Sequence, residues 1–198
     1  MTKEEMLQTL YQEYYLQFER QDIVLGCGDI NARIMFVGEA PGDEEIRLNM
    51  PFVGITRKRV NQILKVLEIK REDVFMTHTI KHRLSKKSPT TGKLINRAPK
   101  ATEIMRTKPY LLREIVCVEP KYIVTLGNMP LKVVVGGKGC KVADLHGKMQ
   151  EIMLSNRTYR VFPLYNPSSV VYNQGLKETY ENDIYLLKEE VKEALKKE

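Results

Sequence analysis

Cysteine is scarce in this chain of 198 residues. The three cysteines are far apart and odd in number, and none belongs to a Cys-x-x-Cys pair; they are Cys27, Cys117 and Cys140. This spacing argues against a disulfide framework and against a zinc site built from thiolates. We therefore expect the cysteines to be small buried side chains in a reducing compartment.

Long apolar segments are also missing. No run reaches the ~18 residues that a membrane-spanning helix needs, and residues 1–10 lack the basic-then-apolar layout of a secretory signal. The sequence has no internal repeat and no low-complexity stretch, and 42% of its residues are hydrophobic and 29% charged. We expect one globular domain over residues 1–198, monomeric and cytoplasmic, with no membrane partner.

Positive charge is in excess, with a formal net charge of +7. Such an excess favours polyanionic partners, although it is a weak signal alone. The most basic segment is residues 84–101, which are rich in Lys, Arg, Ser, Thr, Gly and Pro and are predicted to form a long loop. Two interpretations stay open for this loop: a solvated surface segment, or an arm that contacts phosphates.

Short apolar runs alternate with segments of helical periodicity. The runs lie at residues 33–37, 74–77, 122–126 and 159–164, and the first helix is predicted over residues 4–19. This alternation predicts an α/β fold, a three-layer α/β/α sandwich with a central four-stranded parallel sheet. The ligand of such a sheet lies outside the carboxyl ends of its strands. We therefore expect the loops at residues 38–42, 78–83 and 166–168 to meet at one cleft.

Several motifs occur in an order that is typical of one family. Residues 34–54 read IMFVGEAPGDEEIRLNMPFVG, and the later segments are NRAP at 96–99, PKYIVTLG at 120–127, LHG at 145–147 and NPS at 166–168. From about residue 25 to the last helix, the chain resembles the family 4 (thermophile-type) uracil-DNA glycosylases. The resemblance implies that the chain has the fold of that family and that its substrate is DNA that contains a damaged base.

The resemblance also implies roles for the first motif. Glu39 and Glu45 would lie at the catalytic site, where a carboxylate can orient water and stabilise a cation-like sugar. Phe52 matches the aromatic ring on which the family stacks a base that has been flipped out of the duplex. The alternatives are solvated acids and a core phenylalanine. The tight turn would let its backbone approach the base closely through Gly38, Ala40, Pro41 and Gly42.

Two polar residues depart from the family pattern. His78 stands where the family has the asparagine that binds the uracil edge, and Asn166 stands where it has a catalytic histidine. An amide offers a donor and an acceptor side by side, whereas the two nitrogens of a neutral imidazole point apart. We therefore expect a changed base preference or a lower rate. Asn166 can still donate to the base oxygen, and His78 can also be a structural histidine.

The family's iron–sulfur cluster is not expected here. The four positions that correspond to its cysteine ligands are Tyr11, Tyr14, His82 and Thr107. Iron–sulfur clusters are held by thiolates, so we predict no cluster and no other cofactor or metal. The two tyrosines are predicted to fill that space by packing, with their hydroxyls bonded.

Two kinds of DNA contact are predicted, and the first of them rests on the resemblance. Residues 169–175 match the loop that wedges into the minor groove, so the side chains that fill the gap are predicted to be among Val170, Val171 and Tyr172. The alternative is a loop that caps the last helix. Contacts to the DNA backbone are predicted for Lys81, Arg83, Lys86, Lys87, Arg97 and Ser168.

Three functions are therefore considered. The first is a DNA glycosylase that removes uracil or a related deaminated base. The second is a relative that binds DNA or nucleotides without releasing a base. The third is a hydrolase of free nucleosides or nucleotides, which would need neither a basic loop nor a wedge.

Overall fold

A computed structural model of the chain describes residues 1–137 and 139–195. Its main sheet has six strands in the order β1-β3-β2-β6-β8-β7, and a separate hairpin pairs β4 with β5. The strands are β1 (Cys27–Gly28), β2 (Ile34–Gly38), β3 (Phe75–His78), β4 (Ser85–Lys87), β5 (Leu94–Asn96), β6 (Tyr122–Leu126), β7 (Gln150–Leu154) and β8 (Arg157–Leu164).

The four central strands, β3, β2, β6 and β8, are parallel, as the sequence predicted. Two antiparallel edge strands, β1 and β7, were not predicted. β1 has only two residues, too few for a periodic signal. β7 joins β8 through Ser155 and Asn156, both with positive φ (50° and 61°), and turns of that kind match the twist of a hairpin.

The helices are α1 (Lys3–Gln17), α2 (Asp43–Leu48), α3 (Arg57–Leu67), α4 (Ala101–Val118), α5 (Asn128–Val135), α6 (Val142–Leu145), α7 (Pro167–Tyr172) and α8 (Lys177–Leu195). Short 3-10 turns occur at Arg71–Asp73 and Gln174–Leu176. α1 begins one residue earlier than predicted because Thr2 and Glu5 form a reciprocal capping box.

Two apolar cores make the three layers. Ile34 and Phe36 of β2 point to one face of the sheet, where α3 and α8 pack, whereas Met35 and Val37 point to the other face, where α1, α4 and α5 pack. Alternate side chains of a strand face opposite sides, so a strand covered on both faces is apolar throughout. The predicted α/β/α sandwich is therefore confirmed.

The predicted basic loop at residues 84–101 is instead largely a hairpin. β4 and β5 pair antiparallel, with Lys86 opposite Ile95 and Lys87 opposite Leu94, and both lysines are exposed. The prediction of a loop failed because it rested on the polar, glycine- and proline-containing composition of residues 84–101, and the two strands are too short to give a clear alternating pattern. None of the described helices is long and apolar enough to span a membrane.

Candidate active site

The three predicted loops meet at the carboxyl edge of the parallel strands. They enclose a cleft of about 290 Å³. The predicted residues that line it are Gly38, Glu39, Ala40, Gly42, Glu45, Phe52, His78, Asn166 and Ser168. Pro41 is buried in the same turn. The carboxyl ends of the four parallel strands lie at the same edge of the sheet, so the loops that follow them bring together residues that are far apart in sequence.

The turn after β2 needs a glycine because two rings approach its backbone. A Cβ at Gly38 would lie 2.7 Å from the Phe52 ring and 2.8 Å from Cδ2 of His78. The Gly38 carbonyl accepts hydrogen bonds from the backbone N–H (2.8 Å) and the hydroxyl (3.0 Å) of Thr79. The turn is thereby attached to the segment after β3.

Glu39 is half-buried and its carboxylate has no hydrogen-bond donor among the described residues. Burial raises the pKa of Glu39, and the nearby His78 lowers it to a smaller degree. A carboxyl group with a raised pKa that lines a cleft is a candidate general base.

Glu45 is fully engaged with the loop around it. It accepts hydrogen bonds from the backbone N–H of Gly42 (2.8 Å) and of Phe52 (2.5 Å), and its Oε1 lies 3.3 Å from Nε2 of His78. Burial acts to raise the pKa of Glu45, but the hydrogen bond and charge of His78 and the two backbone N–H groups lower it overall. These bonds suit a positioning residue better than a free base.

Phe52 does not offer the open stacking face that was predicted. Its side chain is only 3% exposed, and its ring centroid lies 4.7 Å from that of His78 with 33° between the planes. Phe52 has a positive φ of 56°. Arg71 bonds to the carbonyl oxygens of Pro51 and Phe52, and Glu45 accepts from the Phe52 N–H, so this strained backbone is held on both sides.

Asn166 is the N-cap of α7. Its Oδ1 accepts hydrogen bonds from the backbone N–H (2.9 Å) and the hydroxyl (2.7 Å) of Ser168. The amide nitrogen Nδ2 has no acceptor within the described part of the chain and remains available as a donor at the cleft. Ser168 was predicted to contact DNA, but its hydroxyl proton is used by Asn166.

Comparison with known proteins identifies the family of the chain. The profile of the uracil DNA glycosylase superfamily matches residues 25–188. The chain is 36% identical to a type-4 uracil-DNA glycosylase of Sulfurisphaera tokodaii, over 86% of this chain and 75% of that protein. It is 33% identical to the type-4 enzyme of Saccharolobus solfataricus (86% and 76% covered) and 31% identical to that of Archaeoglobus fulgidus (83% and 79%).

The chain belongs to the uracil-DNA glycosylase superfamily. Within this superfamily fold, several residues that line the cleft were not singled out from the sequence. They are Asp43, Glu44, Gly54, Ile55, Thr56, Asn96, Leu126 and Pro167. Asn96 had a signal, since it begins the NRAP segment. Its position at the cleft depends on the β4–β5 hairpin, which the composition of the segment concealed.

Lys81 cannot contact DNA in this superfamily member. It is 0% exposed, and its ammonium group bonds to Glu114 Oε2 (2.8 Å), Thr77 Oγ1 (3.1 Å) and the His78 carbonyl (3.1 Å). These contacts use all three N–H groups. The prediction for Lys81 was wrong because its ammonium group is paired in the core with Glu114 of α4, a residue 33 positions away in sequence.

The other predicted backbone contacts differ in their availability. Arg83 pairs with Asp43 and donates to Asn96 (3.3 Å), and Arg97 forms a two-point pair with Glu103 (2.5 and 2.8 Å). Lys86 and Lys87 are exposed on the hairpin. The two lysines are therefore the better candidates for phosphates.

The predicted wedge loop is a helix in its first part. Residues 167–172 form α7, and Val170 is 0% exposed in the core, so Val170 cannot enter a DNA groove. Val171 is partly exposed and Tyr172 is 78% exposed. Pro167 at the first helical position and the Asn166 cap favour a helix here, a signal that the sequence contained.

The residues at the four cluster-ligand positions do not fit an iron–sulfur cluster. The Tyr14 hydroxyl lies 2.9 Å from Nδ1 of His82 and accepts from the backbone N–H of Lys81 (2.8 Å), and Tyr11 donates to Glu114 (2.5 Å). Thr107 is buried and bonds within α4. None of the four offers a thiolate. The tyrosines pack with bonded hydroxyls, as was predicted.

Proposed function

We propose that this protein is a monofunctional DNA glycosylase, which hydrolyses the bond between deoxyribose and uracil or a related deaminated base. The main support is one combination of residues at the cleft. Glu39 and Asn166 line the same cavity, on loops that follow different strands. The Glu39 carboxylate and the Asn166 amide nitrogen have no hydrogen-bond partner among the residues that the structure describes.

The chemistry follows from these two groups. An enzyme of this kind first flips the nucleotide out of the stack. As the bond between C1′ and the base nitrogen breaks, its electron pair stays with the base, and Asn166 Nδ2 donates a hydrogen bond to the base oxygen that gains negative charge. The Glu39 carboxylate stabilises the positive sugar and takes a proton from the water that bonds to C1′. Glu39 then returns its proton to solvent and the base anion takes one proton from solvent, so the products are a free base and an abasic site.

Glu45 and Arg71 are assigned positioning roles in this proposal. Glu45 connects the Gly42 turn, the Phe52 backbone and His78, and Arg71 holds the carbonyls on the other side of Phe52. Lys86 and Lys87 are assigned to DNA phosphates, and Tyr172 to the DNA face beside the cleft.

A second candidate is a superfamily member that binds DNA or nucleotides without releasing a base. The observation in its favour is the contact between Phe52 and His78, which covers one face of the phenyl ring, together with the low exposure (3%) of Phe52.

The test uses single-stranded and duplex oligonucleotides that carry one uracil, hypoxanthine or xanthine, followed by alkaline cleavage of abasic sites. We expect cleavage with at least one base, and loss by a factor of about 100 or more with Glu39→Gln. Glu151→Gln, an exposed acid on the edge strand β7, is the matched control and should retain the rate. Salt-sensitive binding with no cleavage of any substrate would favour the second candidate.

A further inference from the structure

The imidazole of His78 lies against the ring of Phe52, at the position where a flipped base would be expected to stack. Bases bind proteins by stacking on flat aromatic rings. Phe52 is held rigidly at the cleft by Glu45 and Arg71, but a five-membered aromatic ring already covers it at 4.7 Å. A base and the imidazole cannot both occupy this position.

We propose that His78 occludes the base-binding site: its side chain occupies the stacking position on Phe52 and admits a base there only when the imidazole is displaced. The proposal rests on the function proposed above and deepens it. Its consequence is that any base, uracil included, must displace the imidazole before it can stack on Phe52.

The way in which the imidazole is held supports a displaceable ring. Nε2 has one partner, the Glu45 oxygen at 3.3 Å, a long distance for a hydrogen bond. Nδ1 is buried and has no partner in the described part of the chain. A buried polar atom without a partner makes a conformation less favourable. Rotation of the side chain would lose one long bond and would let Nδ1 find water.

The surroundings also leave room for such a rotation. The His78 backbone is fixed in β3, and its carbonyl holds Lys81, so only the side chain can move. The cleft of about 290 Å³ lies beside the ring. Removal of the imidazole should therefore join a ring-sized space on Phe52 to a cavity that already exists.

The first experiment measures binding of free uracil and free imidazole to wild type, His78→Gly and the double variant His78→Gly with Phe52→Leu, by calorimetry and thermal unfolding. We expect His78→Gly to bind both ligands and wild type to bind uracil at least ~10-fold more weakly. The double variant should lose about tenfold of the gained affinity, because Leu offers no flat ring. Equal uracil affinity of wild type and His78→Gly would overturn the proposal, and so would no binding to folded His78→Gly.

The second experiment compares uracil release from DNA by wild type, His78→Ala and His78→Asn, which retain a side chain in β3. We expect both variants to release uracil at least ~10-fold faster than wild type. In His78→Ala the gain comes from a base that can stack on Phe52, whereas in His78→Asn the amide can also bind the uracil edge. A wild-type rate equal to those of both variants would overturn the role of His78 and leave the glycosylase proposal standing. Ligand binding by His78→Gly that depends on Phe52, together with no base release by any variant, would support the role of His78 and reject the glycosylase.

Discussion

At the scale of the residue, environment separates two glutamates of one motif. Glu39 is half-buried without a donor and its pKa is raised, whereas Glu45 is surrounded by donors and its pKa is lowered. Pairs of carboxyl groups whose pKa values are moved apart often divide catalytic work. The sequence placed both at the site but could not tell them apart, because the Phe52 and His78 partners of Glu45 are set by tertiary contacts.

The raised pKa of Glu39 predicts the pH dependence of base release. The carboxylate must be deprotonated to accept a proton from water, so the rate should rise with pH through the pKa of Glu39. The acid limb should therefore lie above the ordinary glutamate value of about 4.3. Single-turnover rates between pH 4 and 8 would measure it; a limb at or below the ordinary value would contradict the assignment.

The buried Lys81–Glu114 pair makes a prediction for stability. Removing one member leaves an uncompensated buried charge, which typically costs about 3–5 kcal/mol. We expect Lys81→Met and Glu114→Leu each to lower the free energy of unfolding by about this amount. The double variant should lose less than the sum of the two single losses. Urea denaturation would measure this, with exposed Lys87→Ala as the control, expected within about 0.5 kcal/mol of wild type. Additive losses would mean that the pair is not coupled.

At the scale of the element, supporting helices hold the site without lining it. α1 contributes Tyr14, whose hydroxyl bonds to Lys81 and His82 directly after β3, and α4 contributes Glu114. α1 was predicted as a helix over residues 4–19, and α4 lies in one of the segments of helical periodicity between the predicted strands. The partners in their polar contacts were not predicted, because residues 33 or 68 positions apart have no local pattern that joins them.

The start of α4 predicts a stability change in acid. Glu103 accepts from Arg97 and from the Lys100 N–H, and the Arg97 bond is the main cause that lowers the pKa of Glu103 to about 2. A carboxylate with a lowered pKa in the folded state stabilises fully above its unfolded value of about 4.3. That contribution is lost as the pH falls toward 2.

The measurement is thermal unfolding between pH 6 and 2 for wild type and Glu103→Gln. We expect the variant to be less stable at pH 6 and the difference to shrink in acid. Glu189→Gln, an exposed acid near the end of α8, is the control. A difference that stays constant with pH would show that charge on Glu103 is not the cause.

At the scale of the whole molecule, the net charge is +7, but only exposed and unpaired basic side chains can contribute to the binding of DNA phosphates. Lys81, Arg83 and Arg97 are committed to partners within the fold, whereas Lys86 and Lys87 are free to meet phosphates on the hairpin. DNA affinity should fall steeply between ~50 and 200 mM salt because bound counterions are released.

Removal of the two hairpin lysines should reduce that salt dependence. For Lys86→Ala with Lys87→Ala, the slope of log affinity against log salt should decrease by about 2, close to one for each phosphate contact. Lys65→Ala, at the end of α3 away from the cleft, is the control. Equal slopes in the hairpin variant and wild type would show that these two lysines do not contact phosphates and that DNA binds at another surface.

The sequence by itself determined the parallel sheet, the family and the edge of the sheet where the site lies. Local signals suffice for these, since buried strands are apolar runs and glycine turns mark their carboxyl ends. The tertiary structure alone decided that His78 covers Phe52, that Lys81 is buried, and that Val170 points into the core. Each of these depends on a partner distant in sequence. A buried ring or charge is stabilised by its contact with that partner, which no local pattern in the sequence reveals.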